Sequence, residues 1–151
     1  MNCRNQVLNY TNLDMNLSLE SDEQVYIAVF DIPLESGIVG FQTQTLALVF
    51  GLNTHIYHGS GAVIVGLEDY PNVKKAMQSV LISSHQVLEN TIITENIEFY
   101  NNKHVRVYLK TAKGIHFKEL NENTKVDKFL LMLMNHMLKE IASTGKLNIS
   151  Q

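Results

Sequence analysis

GIVGFQTQTLALVFGLNTHIYHGSGAVIVG, residues 37–66, holds six of the eight glycines in the chain, threaded through β-branched and apolar runs. Glycines that interrupt apolar runs mark turns, bulges or close backbone approach rather than a flexible linker. The segment therefore reads as two strands joined tightly at Gly51-Leu52-Asn53 and lying in the middle of a sheet. Residues 42–50 (QTQTLALVF) decide the matter. Their threonine, valine and phenylalanine density favours a strand, whereas a helix here would make 25–51 a strand, glycine loop, helix unit of the α/β kind. The strand is the expectation. Thr54–Tyr57 and Gly61–Val65 follow as one strand interrupted at His58-Gly59-Ser60, which suits a bulge or a sharp bend.

Upstream, Val25–Ile32 (VYIAVFDI) is apolar on both alternations, as a strand covered on both faces must be, so it is expected at the centre of the sheet. Pro33 lacks an N–H and is expected to end its pairing, leaving 33–40 as a loop. Residues 1–23 are rich in asparagine and acid without a sustained period and read as an irregular arm, with one short helix near Gln6–Thr11.

Downstream, Asp69 or Tyr70 opens a helix with Pro71 in its first turn, where a missing N–H costs nothing. Val73, Ala76, Met77, Val80, Leu81, Val87 and Leu88 keep one apolar stripe as far as Asn90. Strands at 96–100, 104–111 and 115–120 then form a meander. A three-residue loop at Asn101–Lys103 pairs Phe99 with Val105, and another at Ala112-Lys113-Gly114 pairs Leu109 with Phe117. That register puts Ile97, Phe99, Val105, Val107, Leu109, Ile115 and Phe117 on a core face. It puts Glu98, Tyr100, His104, Arg106, Tyr108, Lys110, His116 and Lys118 on an outer one. Thr124 caps a last helix whose stripe runs Val126, Leu130, Leu133, Met134, Met137, Leu138 and Ile141, ended by Gly145.

The chain has 151 residues, 45% of them hydrophobic, enough for one well-buried core and short for two. No apolar run approaches the roughly 20 residues that span a bilayer. The first residues have no apolar h-region or small-residue cleavage site, and Cys3 is the sole cysteine, so a reducing, cytoplasmic setting is expected. The net charge of −3 conceals an asymmetry. Residues 1–70 carry one basic side chain against eight acidic ones, a net −7, and residues 71–151 carry eleven against seven, a net +4. Such a division argues for complementary surfaces that face each other within the fold or between subunits. The overall sign disfavours bulk nucleic-acid binding.

Five groups of residues suggest chemistry or contacts. His55 and His58 could share a metal only if the backbone bent, because strand residues three apart point to opposite faces. HGSGAVIVG resembles a phosphate cradle but lacks the lysine and hydroxyl of a P-loop, and it runs into a strand rather than a helix. Asp31 and Glu35, with His58 and Ser60 of the glycine loop, form the candidate catalytic set of an enzyme or small-molecule sensor; solvated loop residues are the plainer reading. His104, Arg106, Tyr108, Lys110, His116 and Lys118 form the candidate partner-binding face, although solvated sheet faces often look the same. Phe129, Leu131 and Met132 fall outside the core stripe of the last helix and are the candidate self-association residues.

The expectation is a single α+β domain over 24–145, with an arm before it and a loose tail at 146–151. Its elements run β-β-β-α-β-β-β-α, with a largely antiparallel sheet and two helices on one face. This order resembles that of dimeric secretion chaperones and roadblock-type regulators, a likeness of topology alone. The expected role is a non-enzymatic, cytoplasmic, homodimeric binding or regulatory module acting through protein contacts, with no membrane partner.

Overall fold

The computed structural model describes residues 7–14, 17–36, 40–49, 53–57, 63–64, 70–97 and 104–144, some of the strand residues by their backbone alone. Seven strands form one antiparallel sheet: β1 (Ile27–Ser36), β2 (Gly40–Val49), β3 (Asn53–Tyr57), β4 (Val63–Ile64), β5 (Ile92–Thr94), β6 (Arg106–Thr111) and β7 (Gly114–Glu119). They lie in the order β4-β3-β2-β1-β6-β7-β5. Two helices, α1 (Pro71–Ser83) and α2 (Lys125–Ser143), complete the α+β arrangement. A 3-10 helix, Ser84–Asn90, prolongs α1 to the point where the apolar stripe was expected to stop.

Residues 42–49 are strand, as the composition indicated, and β1 is central, flanked by β2 and β6. Its two-sided apolar pattern is satisfied by two separate layers. On one face Ala28, Phe30, Leu46, Leu48, Val107 and Leu109 pack under Val73, Met77 and Val80 of α1 and Leu130, Met134, Met137 and Ile141 of α2. On the other, Ile27, Val29, Ala47, Val49 and Tyr108 are covered by Val7, Leu8, Leu17, Leu19 and Tyr26. The N-terminal arm is thus the second layer of the core. It has one helical turn at 7–9 and is pinned by the Lys110 ammonium, which donates to the Leu8 carbonyl at 2.7 Å.

Thr54–Tyr57 and Gly61–Val65, expected as one interrupted strand, instead supply antiparallel neighbours, β3 and β4, with Ile56 opposite Ile64, so that four strands rather than three precede α1. Three further expectations require correction. Pro33 does not end β1, which runs on to Ser36 opposite Gly40. The ladder with β6 stops at Asp31, so Pro33 lies where one side of the strand has no described neighbour and a missing donor is tolerated. β6 lies between β1 and β7 rather than beside a strand at 96–100, and the strand that precedes it, β5 at 92–94, pairs with β7. Residues 98–103, with the loop expected at Asn101–Lys103, fall outside the described residues.

The third correction concerns β6 and β7. Thr111 pairs with Gly114 and Leu109 with His116, so the turn has two residues, Ala112-Lys113, and β7 is displaced by one position. Gly114 takes φ +130°, a conformation open to glycine. The displacement moves alternate side chains of β7 to opposite faces. Phe117 and Ile115 now face the arm, with the Phe117 ring 5.1 Å from that of Tyr108. His116 and Lys118 face the helices.

Candidate functional site

The six residues expected on one outer face of the meander are therefore divided. Arg106, Tyr108 and Lys110 alternate along β6 towards the arm, and the first two are sealed from solvent. His116 and Lys118 lie on the helical side, each with a defined partner. His104 is exposed at the approach to β6. No single basic surface results. Sequence reasoning missed this because it assumed that only one face of the meander is covered.

Arg106 belongs to a polar row that crosses the sheet. Asp31 stands opposite Arg106 on β6 and opposite Thr45 on β2, and Arg106 stands opposite Glu119 on β7. Asp31 and Arg106 are fully buried and Thr45 nearly so. The Thr45 hydroxyl donates to Asp31 Oδ1 at 2.7 Å. Opposite charges at directly facing positions of an antiparallel pair attract, and within a core they are retained only with such polar support. Asp31 is thus a buried side chain bonded to the Thr45 hydroxyl, away from solvent. The register also runs from Thr45 to Tyr57, so β3 finishes level with Asp31, two strands away. His58 and Ser60 lie outside the described residues, as does the side chain of Glu35.

A second polar cluster surrounds His116. Thr91 donates its hydroxyl hydrogen to the Leu88 carbonyl at 2.7 Å, so towards His116 Nδ1, 3.3 Å away, its oxygen can only accept. Thr111 Oγ1 accepts from the Lys113 amide and keeps its hydrogen for His116 Nε2 at 2.8 Å. In the neutral ring the two threonines together select the tautomer with its proton on Nδ1. Burial lowers the His116 pKa below its ordinary value, and the nearby Lys113 charge lowers it further. The ring borders a cleft of about 480 Å³ that Glu23, His85, Glu89 and Lys113 also line.

A neighbouring cleft of about 420 Å³ shares Glu23 and His85 with the first. It runs between residues 20–25 and the C-terminal end of α1, where Leu81 and Ile82 supply an apolar wall. Its acidic side is ordered by local bonds: the Glu20 amide donates to Gln24 Oε1 at 2.7 Å and the Glu23 amide to Ser21 Oγ at 3.2 Å.

The start of α2 is built as the sequence indicates. Thr124 Oγ1 accepts from the Asp127 amide at 3.2 Å, and Asp127 Oδ2 accepts from the Asn121 amide at 3.2 Å and lies 3.3 Å from Lys118 Nζ. Val126, Leu130, Met134, Met137 and Ile141 then turn inward, the first only half-buried. Every third or fourth residue between them faces out: Lys125, Lys128, Phe129, Met132, Asn135, His136 and Lys139. Met132 is 56% exposed and Phe129 37%, whereas Leu131 is half-buried against the core.

Among the described residues no three His, Cys, Asp or Glu side chains are close enough to share a metal ion. Among the same residues no helix is long and apolar enough to cross a membrane. Neither a family model, a curated protein nor a solved structure matches this chain.

Proposed function

We propose that this protein is a non-enzymatic, cytoplasmic binding or regulatory module that acts through protein contacts and self-associates through the outer stripe of α2. The observation that carries the reading is the exposure of Phe129 and Met132 on one turn of a helix whose remaining long apolar side chains are buried or half-buried. Apolar side chains grouped on a polar surface are a usual mark of a contact site. Two of the buried polar pairs tie neighbouring strands of the sheet, Thr45 to Asp31 and Thr111 to His116. Light scattering of the wild type and of Met132→Glu at matched concentration tests this. A wild-type oligomer that becomes a folded monomer in the variant is expected; a folded wild-type monomer at 100 µM or so rejects the reading.

A second reading, small-molecule sensing where β3 finishes beside the middle of β1, draws support from the register that brings Asp31 and Tyr57 to one level of the sheet. A thermal-shift survey of small metabolites would give it substance. A stabilising ligand whose effect survived Met132→Glu and disappeared in Asp31→Asn would favour it over the first.

A further inference from the structure

The charges of the chain are sorted in space as well as in sequence. The outward side of the helical layer carries Lys74, Lys75, Lys125, Lys128 and Lys139, all exposed. α1 has no acidic residue, and those of α2 are buried Asp127 and half-buried Glu140. Residues 7–26 hold the reverse: exposed Asp14, Glu20, Asp22 and Glu23 and no basic residue.

Two surfaces drawn from this division have matching construction. On α2, apolar Phe129 and Met132 are framed by Lys125, Lys128 and Lys139. At the end of α1, Ile82, 66% exposed, and Leu81 form the apolar wall of a cleft rimmed by Glu20 and Glu23. Two α2 stripes placed face to face would set lysines against lysines with no exposed acid on either helix to relieve them. An α2 stripe laid on the cleft of another copy sets lysines against glutamates and Phe129 and Met132 against Ile82.

We propose that self-association joins unlike surfaces, the α2 stripe of one copy seating in the cleft between residues 20–25 and α1 of a second. This rests on the self-association reading above and goes beyond it by assigning the receiving surface. The occupant is a copy of this chain rather than nucleic acid. The basic frame is lysine without arginine, so it offers none of the planar, bidentate recognition that phosphates favour, and the apolar centre needs an apolar counterpart. Because the contact is framed by exposed charges, it weakens as salt rises.

Complementation tests the arrangement. A helix variant, Lys125→Glu with Lys128→Glu, and an arm variant, Glu20→Lys with Glu23→Lys, are each followed by sedimentation, with circular dichroism and thermal unfolding to verify the fold. The expected result is that the wild type associates, that each variant alone weakens association tenfold or more (a loss of roughly 1.4 kcal/mol or greater), and that an equimolar mixture restores it. Association of the wild type with no recovery in the mixture overturns the pairing of unlike surfaces and leaves self-association standing. A monomeric wild type overturns both. Should a variant fail to fold, Ile82→Glu and Met132→Lys take their places, with the same recovery expected on mixing.

Discussion

Asp31 on β1 and Arg106 on β6 face each other across the centre of the sheet, on the side covered by the N-terminal arm, and neither is reached by solvent. Removing one member of a buried pair of opposite charges leaves the other without its compensation. Asp31→Ala and Arg106→Ala are each expected to lower the unfolding free energy by about 3–5 kcal/mol, and the double variant by less than their sum. Urea unfolding of the four proteins measures this. A loss under about 1 kcal/mol for either single change would show that the row contributes little.

Gly114 closes the β6–β7 turn at φ +130°, and a Cβ there would meet Ile93 Cγ2 at 3.4 Å. The space is ordinary van der Waals distance, so the backbone decides the outcome. Gly114→Ala is expected to cost about 1–2 kcal/mol by forcing a side chain into a disfavoured conformation. Thermal unfolding would show it as a lower midpoint with native circular dichroism.

The first turn of α2 offers a graded test. Thr124→Ala removes the cap and is expected to cost about 1 kcal/mol. Asp127→Ala removes the acceptor for Asn121 and the counter-ion of Lys118 while leaving the helix its cap. It is expected to cost about 2 kcal/mol or more, since Lys118 and the Asn121 amide lose their partner together. Equal losses for both would mean that Asp127 contributes nothing beyond local capping.

His116 makes stability depend on pH. Its folded pKa lies below the ordinary value near 6.5, so the unfolded chain takes up a proton before the folded one does. The contribution is complete above that value, declines as pH falls through it, and levels off below the folded pKa. His116→Gln is expected to flatten this part of the pH profile. Chemical denaturation between pH 7.5 and 5 reads the change, and an unchanged slope in the variant would assign the dependence to other groups.

Much of the architecture can be read from residues in order. The spacing of Val73, Ala76, Met77, Val80 and Leu81 identified the buried side of α1, and two-sided apolarity placed β1 at the centre. The misreading of the meander has one cause. A three-residue loop with Gly114 in the left-handed position puts Ile115 and Phe117 on the core face and His116 and Lys118 on the outer one. An arm without periodicity gave no sign that it would cover the other face with Val7, Leu8, Leu17 and Leu19. With apolar cover on both sides, alternation no longer tells which side is which, and the choice passes to partners remote in sequence. Thr91 for His116 and Asp127 for Lys118 are such partners. The burial of Asp31 and Arg106 was hidden for the same reason, whereas the outward turn of Phe129 and Met132 was legible because a helix period leaves them off the core stripe.

The two-residue turn at Ala112-Lys113 has an importance out of proportion to its size. It acts as a gauge that sets which half of β7 is dealt to each layer: His116 and Lys118 to the helices, Ile115 and Phe117 to the arm. A single residue inserted there would exchange the two hands, bringing aromatic and aliphatic groups against the start of α2 and burying an imidazole and an ammonium beneath the arm. Change in turn length at this point is therefore a far harsher event than almost any substitution in the strand.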